Sequence, residues 1–225
     1  MIIGKRGGLL VLTAAISALM VFMGMWQLSR ADEKRQLLQE WQQRSQMELE
    51  LKEALAMHSP FGYRLRTSGV YLAGGELFLD NQIEQGRAGY RLIRPLQTPQ
   101  GLLAVDSGWW PASADRSRLP AVNPPDDHAL ELTGVLVRPW QPPLSLGRER
   151  DAHPRRISSL EPALLTERWG QPVLPVVLKT DGGGDGWQPV VMGPEKHLGY
   201  AVQWFTMTVA IWLAAWWWYR RGYEA

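Results

Sequence analysis

One histidine and one tryptophan share a face of a segment that is long enough to cross a membrane. The chain from Leu198 to Tyr219 carries no charged residue and is followed by Arg220 and Arg221. At about 1.5 Å of rise per residue, this stretch of about 22 residues spans the roughly 30 Å hydrocarbon core of a bilayer. Residues at spacings of four and three define one face of the predicted helix: His197, Ala201, Trp204, Thr208 and Ile211.

A second apolar segment lies near the N-terminus. Lys5 and Arg6 precede an uncharged stretch from Gly7 to Ser29, whose apolar body runs from Leu9 to Leu28. A body of about 20 residues exceeds the roughly 7–15 of a signal-peptide core. Bulky residues also precede the candidate cleavage pattern Ser29-Arg30-Ala31, so a retained membrane helix is favoured over a cleaved signal. Its end carries a second face of interest: Met23, Trp26, Gln27 and Arg30.

These two faces suggest a ligand. A histidine, several aromatic rings and an arginine at one level suit a flat, apolar, anionic molecule such as haem. The imidazole of His197 would bind iron, the rings would pack on the macrocycle, and Arg30 would pair with a propionate. The alternative is interfacial anchoring, in which His197 and the tryptophans lie at headgroup level. Gln203 is polar at membrane depth and is predicted to turn towards another helix.

Composition and motifs exclude several other kinds of chemistry. The chain of 225 residues has no cysteine, which excludes thiol catalysis, disulfides and thiolate metal sites. The glycine-rich stretch Asp181–Gly186 follows a predicted strand but lacks the Gly-Lys-Ser/Thr of a phosphate loop, so a turn is predicted. Asp126-Asp127-His128 has no partner histidine at helical or strand spacing, which favours a solvated loop over a metal site. The sequence therefore predicts a protein that is not an enzyme.

Charge indicates the orientation and limits the partners. The net charge of +2 comes without any long basic run, so no nucleic-acid partner is predicted. Positive residues beside short tails mark the cytoplasmic side of a membrane, and Lys5, Arg6, Arg220 and Arg221 lie at the outer ends. Both termini are therefore predicted in the cytoplasm. The segment between the helices would lie in the periplasm, with the chain in a bacterial inner membrane.

The middle of the chain has the pattern of a β-rich domain. Helix-forming residues from Ala31 to Gln46 extend the first helix, and Leu51–Met57 is a further helical piece. Ser158–Glu161 has capping-box spacing and predicts a helix that runs to Arg168. Short strands are predicted as an antiparallel sheet or small barrel: Tyr63–Thr67, Glu76–Asn81, Gly89–Leu96, Leu102–Trp109, Leu130–Val137 and Val173–Leu178. Pro175 argues for an edge position of the last strand. The loops are predicted to be Pro111–Asp127 and the exposed Arg148–Arg156.

The overall prediction is an α+β membrane protein in which two transmembrane helices flank one β-rich extracytoplasmic domain. Its parts are a cytoplasmic tail at 1–8, a membrane helix at 9–28, a periplasmic domain at 29–197, a second membrane helix at 198–219 and a cytoplasmic tail at 220–225. Concentration of apolar residues at the two ends agrees with a mean hydropathy of only −0.21 for the chain. The aromatic pair Trp109-Trp110 is interpreted as one ring in the core and one at the surface, rather than as a ligand platform.

Four stretches carry a resemblance to a known family. The segment His197–Phe205 resembles the C-terminal signature of the Surfeit locus protein 1 family, and Gly24–Ala31 followed by Lys34 is similar to its N-terminal signature. Between them, Asp80–Leu96 is similar to the family's glycine-spaced strand pair. Val105-Asp106-Ser107-Gly108-Trp109-Trp110-Pro111 stands where the family usually has Val-Asn-Arg-Gly-Trp-Val-Pro. The chain departs from that pattern at Asp106 and Ser107, while Gly108, Trp109 and Pro111 match it.

The resemblance implies an assembly factor for cytochrome c oxidase that binds haem a as transient cargo and aids its insertion into subunit I. The implied partners are oxidase subunit I, the haem a synthase and the lipid bilayer. The resemblance implies His197 as the ligand of haem iron and Trp204 as its associated aromatic residue. With the helix faces above, the predicted haem-contacting set is His197, Trp204, Tyr200, Trp26 and Arg30.

Two other functions are compatible with the sequence. One is a structural chaperone that stabilises an oxidase intermediate without binding haem. The other is a membrane-tethered scaffold or sensor that is unrelated to oxidases. The first differs from a haem carrier in whether the purified protein holds haem, and the second in whether loss of the protein reduces oxidase.

Overall fold

The computed structural model describes residues 2–113, 115, 118–125, 128–142, 154–181, 190 and 192–221. The chain divides into two compact units. The helical unit comprises Met1–Glu40 with Pro189–Ala225, and the β unit comprises Trp41–Gln188. The two units are described separately below.

The helical unit contains two long helices. Helix α1 runs from Ile2 to Arg44 and helix α4 from Pro194 to Arg221. Both are long and apolar enough to cross a membrane. The predicted extension of the first helix beyond Ala31 is confirmed, because the residues that follow are good helix formers. The helix ends at Arg44 rather than Gln46, while the limits of the membrane segments within α1 and α4 stay a prediction.

The β unit contains eight strands and two short helices. The helices are α2, Leu51–Ala56, and α3, Pro162–Trp169. The strands in chain order are β1 Glu48–Glu50, β2 Arg64–Tyr71, β3 Leu77–Glu84, β4 Arg87–Thr98, β5 Gly101–Pro111, β6 Leu130–Val137, β7 Arg156–Ile157 and β8 Val173–Thr180. The predicted strands and the predicted α2 helix are therefore confirmed within a few residues at their ends.

Five of the strands close into a small barrel. The neighbours run β2-β6-β8-β5-β4, and β4 returns to β2 through the pairs Val70–Gln97 and Tyr71–Leu96. Strands β1, β3 and β7 extend the sheet beyond this ring. The barrel prediction is confirmed, but the sheet is mixed: β5 and β8 are parallel, as are β1 with β2 and β3 with β7. A parallel pair needs a long crossover, which the segment between β5 and β8 supplies.

Alternate residues of the central strands face two separate hydrophobic clusters. Leu103 and Val105 of β5 belong to a cluster that also contains Leu51 and Ala54 of α2. The intervening Ala104 belongs to a second cluster, against which Trp41, Trp140 and Trp169 pack. Successive strand residues point to opposite faces, so β5 is buried on both sides. Burial of this kind, at about 1.5–3 kcal/mol for a fully buried Leu or Val, provides most of the stability.

The prediction that Pro175 lies on an edge strand is wrong. Strand β8 lies between β5 and β6, in the interior of the sheet. Proline has no N–H to donate to a strand ladder, and the pairing avoids this residue. The β6 ladder reaches only Val177–Thr180, and the β5 ladder is irregular between Val173 and Val177. An irregular stretch thus accommodates an exposed proline inside the sheet.

Two local predictions between β6 and β8 are also wrong. Helix α3 does not begin in a capping box at Ser158: its N-cap is Glu161, and Pro162 occupies the first turn. Proline favours that position because its N–H would have no helical partner. Arg156 is not exposed but half-buried, since it forms β7 with Ile157 and pairs beside Phe78 of β3. Pro154 and Arg155 are exposed as predicted, and 148–153 lie outside the described residues.

The pairing of β6 with β8 predicts a large effect at one glycine. A Cβ at Gly134 would lie 2.1 Å from the carbonyl oxygen of Lys179 in β8. A backbone atom cannot rotate away as a side chain can, so Gly134→Ala must displace β6 or β8. Overpacking in a close-packed interior costs typically about 1–3 kcal/mol. We expect Gly134→Ala to lower the free energy of unfolding by at least this amount in chemical denaturation of the full chain in detergent.

A matched control for this substitution is Ser68→Ala in β2. Ser68 is exposed, and an exposed residue changes stability by about 0.5 kcal/mol or less. Equal denaturation midpoints for Gly134→Ala and Ser68→Ala would contradict the close approach of β6 and β8.

Candidate functional site

The imidazole of His197 is held by a side chain of the other long helix. His197 lies in the first turn of α4 and is only 8% exposed. Its Nδ1 lies 2.8 Å from Oε1 of Gln27 on α1, which is a hydrogen bond. Among the described residues, Nε2 of His197 has no hydrogen-bond partner. The histidine that the sequence singled out is therefore buried, oriented by one nitrogen and left with its second nitrogen available.

The two helices approach closely one turn away from this hydrogen bond. A Cβ at Gly24 would lie 2.6 Å from Cε1 of the Phe205 ring, so the aromatic ring fits only because residue 24 has no side chain. From Gln27 back to Gly24 on α1, the contact on α4 moves forward from His197 to Phe205. The two helices are therefore antiparallel. Other small residues continue the buried stripe on α1: Thr13, Ser17 and Ala31. Such stripes are typical of contacts between membrane helices.

The predicted face of α4 is the face that is buried. His197 and Ala201 are buried, and Trp204 and Thr208 are half-buried. Trp204 lies about two turns beyond His197, and its carbonyl oxygen accepts a hydrogen bond of 3.0 Å from Oγ1 of Thr208. Gln203, predicted to turn towards another helix, does not face α1. It is exposed, because it lies about 200° around the helix from Ala201.

The remaining predicted site residues are more exposed than His197. Tyr200 is 47% exposed and lies one turn beyond His197 on α4. Trp26 is 46% exposed and lies about 200° around α1 from Gly24, on the side away from Phe205. Arg30 forms an ion pair with Glu33, one turn further along α1. The structure thus joins His197 to Gln27, and among the described residues it shows no hydrogen bond of His197 to Trp26 or Arg30.

The pockets of the β unit are poor sites for a flat apolar ligand. A pocket of about 440 Å³ has a polar lining that includes Glu50, Lys52, Arg66 and Glu131. A second pocket, of about 220 Å³, is lined by Tyr71 and Arg94 with a proline-rich loop. The second is below the usual size of ligand sites, about 300–1,000 Å³. Burial raises the pKa of the Tyr71 hydroxyl, which keeps that group neutral at physiological pH.

Other motifs of the sequence contribute no described ligand cluster. No group of three or more His, Asp or Glu side chains lies close enough to hold a metal ion within the described part of the chain. Asp126 and Asp127 lie outside the described residues, as does the part of the glycine-rich stretch at 182–186. Asp181, by contrast, has partners within the fold. Its carboxylate pairs with Arg64 and accepts a 3.0 Å hydrogen bond from Oγ1 of Thr133. It therefore connects the end of β8 to β2 and β6.

The strand end at Trp109-Trp110 is part of the fold rather than a free aromatic platform. Trp109 donates its indole N–H to the carbonyl oxygen of Gln82, at 2.9 Å. Trp110 packs against a third hydrophobic cluster formed by Phe78, Tyr90 and Leu92. Both rings are half-buried, so the predicted division into one core ring and one surface ring is wrong.

Asp106, one of the residues that depart from the family pattern, has a structural partner. Its carboxylate forms an ion pair with Arg91 of β4. The other carboxylate oxygen accepts a 3.0 Å hydrogen bond from the backbone N–H of Gly108. Asp106 and Arg91 are 5% and 8% exposed, so this is a buried pair.

These features define a class of protein in which two apolar helices, joined at a buried histidine, flank a small mixed β-barrel in the sequence. A family model described as the SURF1 family matches residues 14–209, which include most of both helices and all of the β unit. The chain therefore belongs to the SURF1 family, which is associated with the assembly of cytochrome c oxidase. A comparison with curated proteins found no match.

Proposed function

We propose that this protein is a membrane-anchored assembly factor for cytochrome c oxidase that binds haem a at His197 and aids its insertion into subunit I. The observation that carries the haem-binding part is the His197–Gln27 hydrogen bond. It orients a buried imidazole and leaves Nε2 without a partner among the described residues. Family membership supports the oxidase part.

The donor set suits haem chemistry. An imidazole nitrogen is a common axial ligand of haem iron. Trp204 and Tyr200 lie on the same side of α4 as His197, where their rings would pack on the macrocycle. Arg30 already forms an exposed ion pair with Glu33, and pairs of this kind are worth about 1 kcal/mol or less. We therefore assign the main contacts to α4 and a secondary role to Arg30 and Trp26.

Location in a membrane is supported by the surfaces of α1 and α4. Large apolar side chains are exposed along both helices: Leu12, Leu19, Phe22, Val209, Leu213 and Trp217. At the end of α4, the guanidinium of Arg220 lies 4.6 Å from the ring of Trp216 and that of Arg221 lies 3.8 Å from the ring of Trp217. Aromatic rings beside arginines are typical of a membrane–water interface. We place both termini in the cytoplasm and the β unit in the periplasm of a bacterium.

Haem in this proposal is cargo, and the protein is a chaperone rather than an enzyme. Oxidase subunit I would receive the haem a, and the haem a synthase would supply it. Both are membrane proteins with apolar surfaces, so exchange at a site between α1 and α4 spares the haem from crossing water. The β unit would then be the part that docks on an oxidase intermediate.

The haem-binding part is tested by an absorption spectrum. We expect the full chain purified from cells that make haem a to show a Soret band that is absent when haem a synthesis is blocked. The control is the same preparation from cells that make only haem b, which separates haem a from general porphyrin binding. A wild-type chain without any haem band would exclude the carrier role.

The assembly part is tested by deleting the gene in a strain without a paralogue. We expect the membranes to lose most of the absorption of haem a and most cytochrome c oxidase activity, because subunit I without its haem does not mature. Expression of the wild-type chain should restore both, and other cytochromes serve as the internal control. Normal oxidase content after deletion would favour a scaffold or sensor that is unrelated to oxidases.

A second candidate is a structural chaperone that binds no haem. The observations that favour it are the ion pair that occupies Arg30 and the exposure of Trp26 away from Phe205. It predicts the same loss of oxidase after gene deletion but no haem on the purified chain. The two experiments together therefore separate all three functions.

A further inference from the structure

Gln27 contacts His197 through an atom that can only accept a hydrogen bond. The side-chain carbonyl oxygen Oε1 of Gln27 lies 2.8 Å from Nδ1 of His197. In this arrangement the carbonyl oxygen accepts, so Nδ1 carries the proton of the hydrogen bond. A neutral imidazole has one protonated nitrogen, and Nε2 therefore keeps its lone pair.

We propose that Gln27 is a positioning residue that holds His197 in the Nδ1–H tautomer and so presents the lone pair of Nε2 to haem iron. This inference rests on the proposed haem-binding function. Hydrogen bonds from the second nitrogen of a metal-bound histidine fix its tautomer and ring orientation and raise its basicity as a ligand. Gln27 performs this task from the other helix.

The packing of α1 against α4 fixes the position of Gln27. Gly24 lies one turn before Gln27 on α1 and admits the ring of Phe205. Residues three apart lie on neighbouring parts of one helix face, so the contact at Gly24 sets the rotation of α1 at Gln27. Burial of His197 adds to the effect, because a hydrogen bond shielded from water is harder to replace. The site is therefore assembled from both helices, rather than from α4 alone.

A purely structural hydrogen bond between helices makes different predictions. Such a bond supports helix association in membranes and works with either tautomer of the histidine, because the amide of Gln27 can turn over and donate its N–H to an unprotonated Nδ1. A positioning role requires the Nδ1–H tautomer in the haem-free protein. It also requires that haem affinity falls when residue 27 cannot accept a hydrogen bond, even if the two helices stay associated.

The first test is the tautomer of His197 in the haem-free full chain. Nitrogen NMR of the chain labelled with ¹⁵N-histidine distinguishes protonated from unprotonated ring nitrogens, and His197→Ala identifies the signals among the four histidines. We expect a protonated Nδ1 and an unprotonated Nε2 in the wild type, and a mixture of tautomers in Gln27→Leu. A wild-type His197 with its proton on Nε2 would overturn the inference.

The second test is titration of the full chain with haem a. Loss of a hydrogen-bonding partner of a metal ligand typically lowers affinity by about 10–100-fold, and we expect this loss for Gln27→Leu. Gln27→Glu keeps an acceptor oxygen at the same place and should retain binding within a few-fold of the wild type. Gln203→Leu is the matched control, since it removes an exposed glutamine from α4 and should leave affinity unchanged.

The outcomes separate this inference from the function on which it rests. A wild-type chain that takes up no haem a would overturn both. Haem binding that is lost in His197→Ala but equal in the wild type and Gln27→Leu would overturn the role of Gln27 alone. The tautomer of the wild type remains decisive if Gln27→Leu fails to fold.

Discussion

Asp106→Ala is expected to lower the free energy of unfolding of the β unit by about 3–5 kcal/mol, the usual cost of breaking a buried ion pair. The substitution would leave the buried guanidinium of Arg91 without its closest carboxylate. Glu84 remains, with its Oε2 at 3.8 Å from Nη1 of Arg91, a distance too long for a good hydrogen bond. Asp106 also accepts the N–H of Gly108, so a second interaction disappears with the same carboxylate.

The measurement is chemical denaturation of the full chain in detergent, followed by near-ultraviolet circular dichroism. Glu48→Ala is the matched control, because Glu48 pairs with Arg66 at 2.7 Å on the surface of the same unit. An exposed pair of this kind contributes about 1 kcal/mol or less. Equal effects of Asp106→Ala and Glu48→Ala would show that the Arg91–Asp106 pair is no more shielded from water than the surface pair.

Asp106→Asn separates the charge from the hydrogen bond. Asparagine is the residue that the family usually has at this position, and its oxygen can still accept the N–H of Gly108. We expect a smaller loss than for alanine, because the negative charge is removed while an oxygen remains that can accept from the cationic Arg91. A loss as large as that of Asp106→Ala would indicate that the charge alone stabilises the pair.

The parts of the fold that depend on local pattern could be predicted from the sequence. Apolar length determines α1 and α4, and alternation of apolar residues locates β2 to β6 within a few residues. Strands β1 and β7 were missed because three and two residues carry no periodicity, and each exists only through its partner strand. Pro175 was misplaced for a related reason. The pairing of β5 with β8 is irregular around Pro175, so a proline fits inside the sheet there. The sequence does not reveal where such an irregularity occurs.

The candidate site also has one part that local sequence pattern predicts and one part that depends on packing between distant segments. His197 and Trp204 were found because residues at helical spacing must share a face. The contact of His197 with Gln27 could not be predicted, because it depends on the rotation of α1 about its own axis. That rotation is set by the fit of Phe205 against Gly24, a contact between residues about 180 positions apart. Gln27 was visible only as one of four residues near the end of the first membrane helix.

His197→Ala is expected to abolish the haem band of the purified full chain. Removal of the ligand itself should exceed the about 10–100-fold loss that follows removal of a ligand's hydrogen-bonding partner. The β unit should keep its wild-type free energy of unfolding, since His197 belongs to the helical unit. His58→Ala is the control, because His58 is an exposed histidine of the β unit and should leave the haem band unchanged.

A second substitution at the same position separates iron binding from the contact between the helices. His197→Gln keeps a side-chain N–H that can donate to Gln27 but removes the imidazole. We therefore expect His197→Gln to be as deficient in haem as His197→Ala, even if α1 and α4 remain associated. A haem band retained in His197→Gln would mean that His197 only joins the two helices. The haem ligand would then be another residue. His197 would be buried because its hydrogen bond to Gln27 holds α1 against α4.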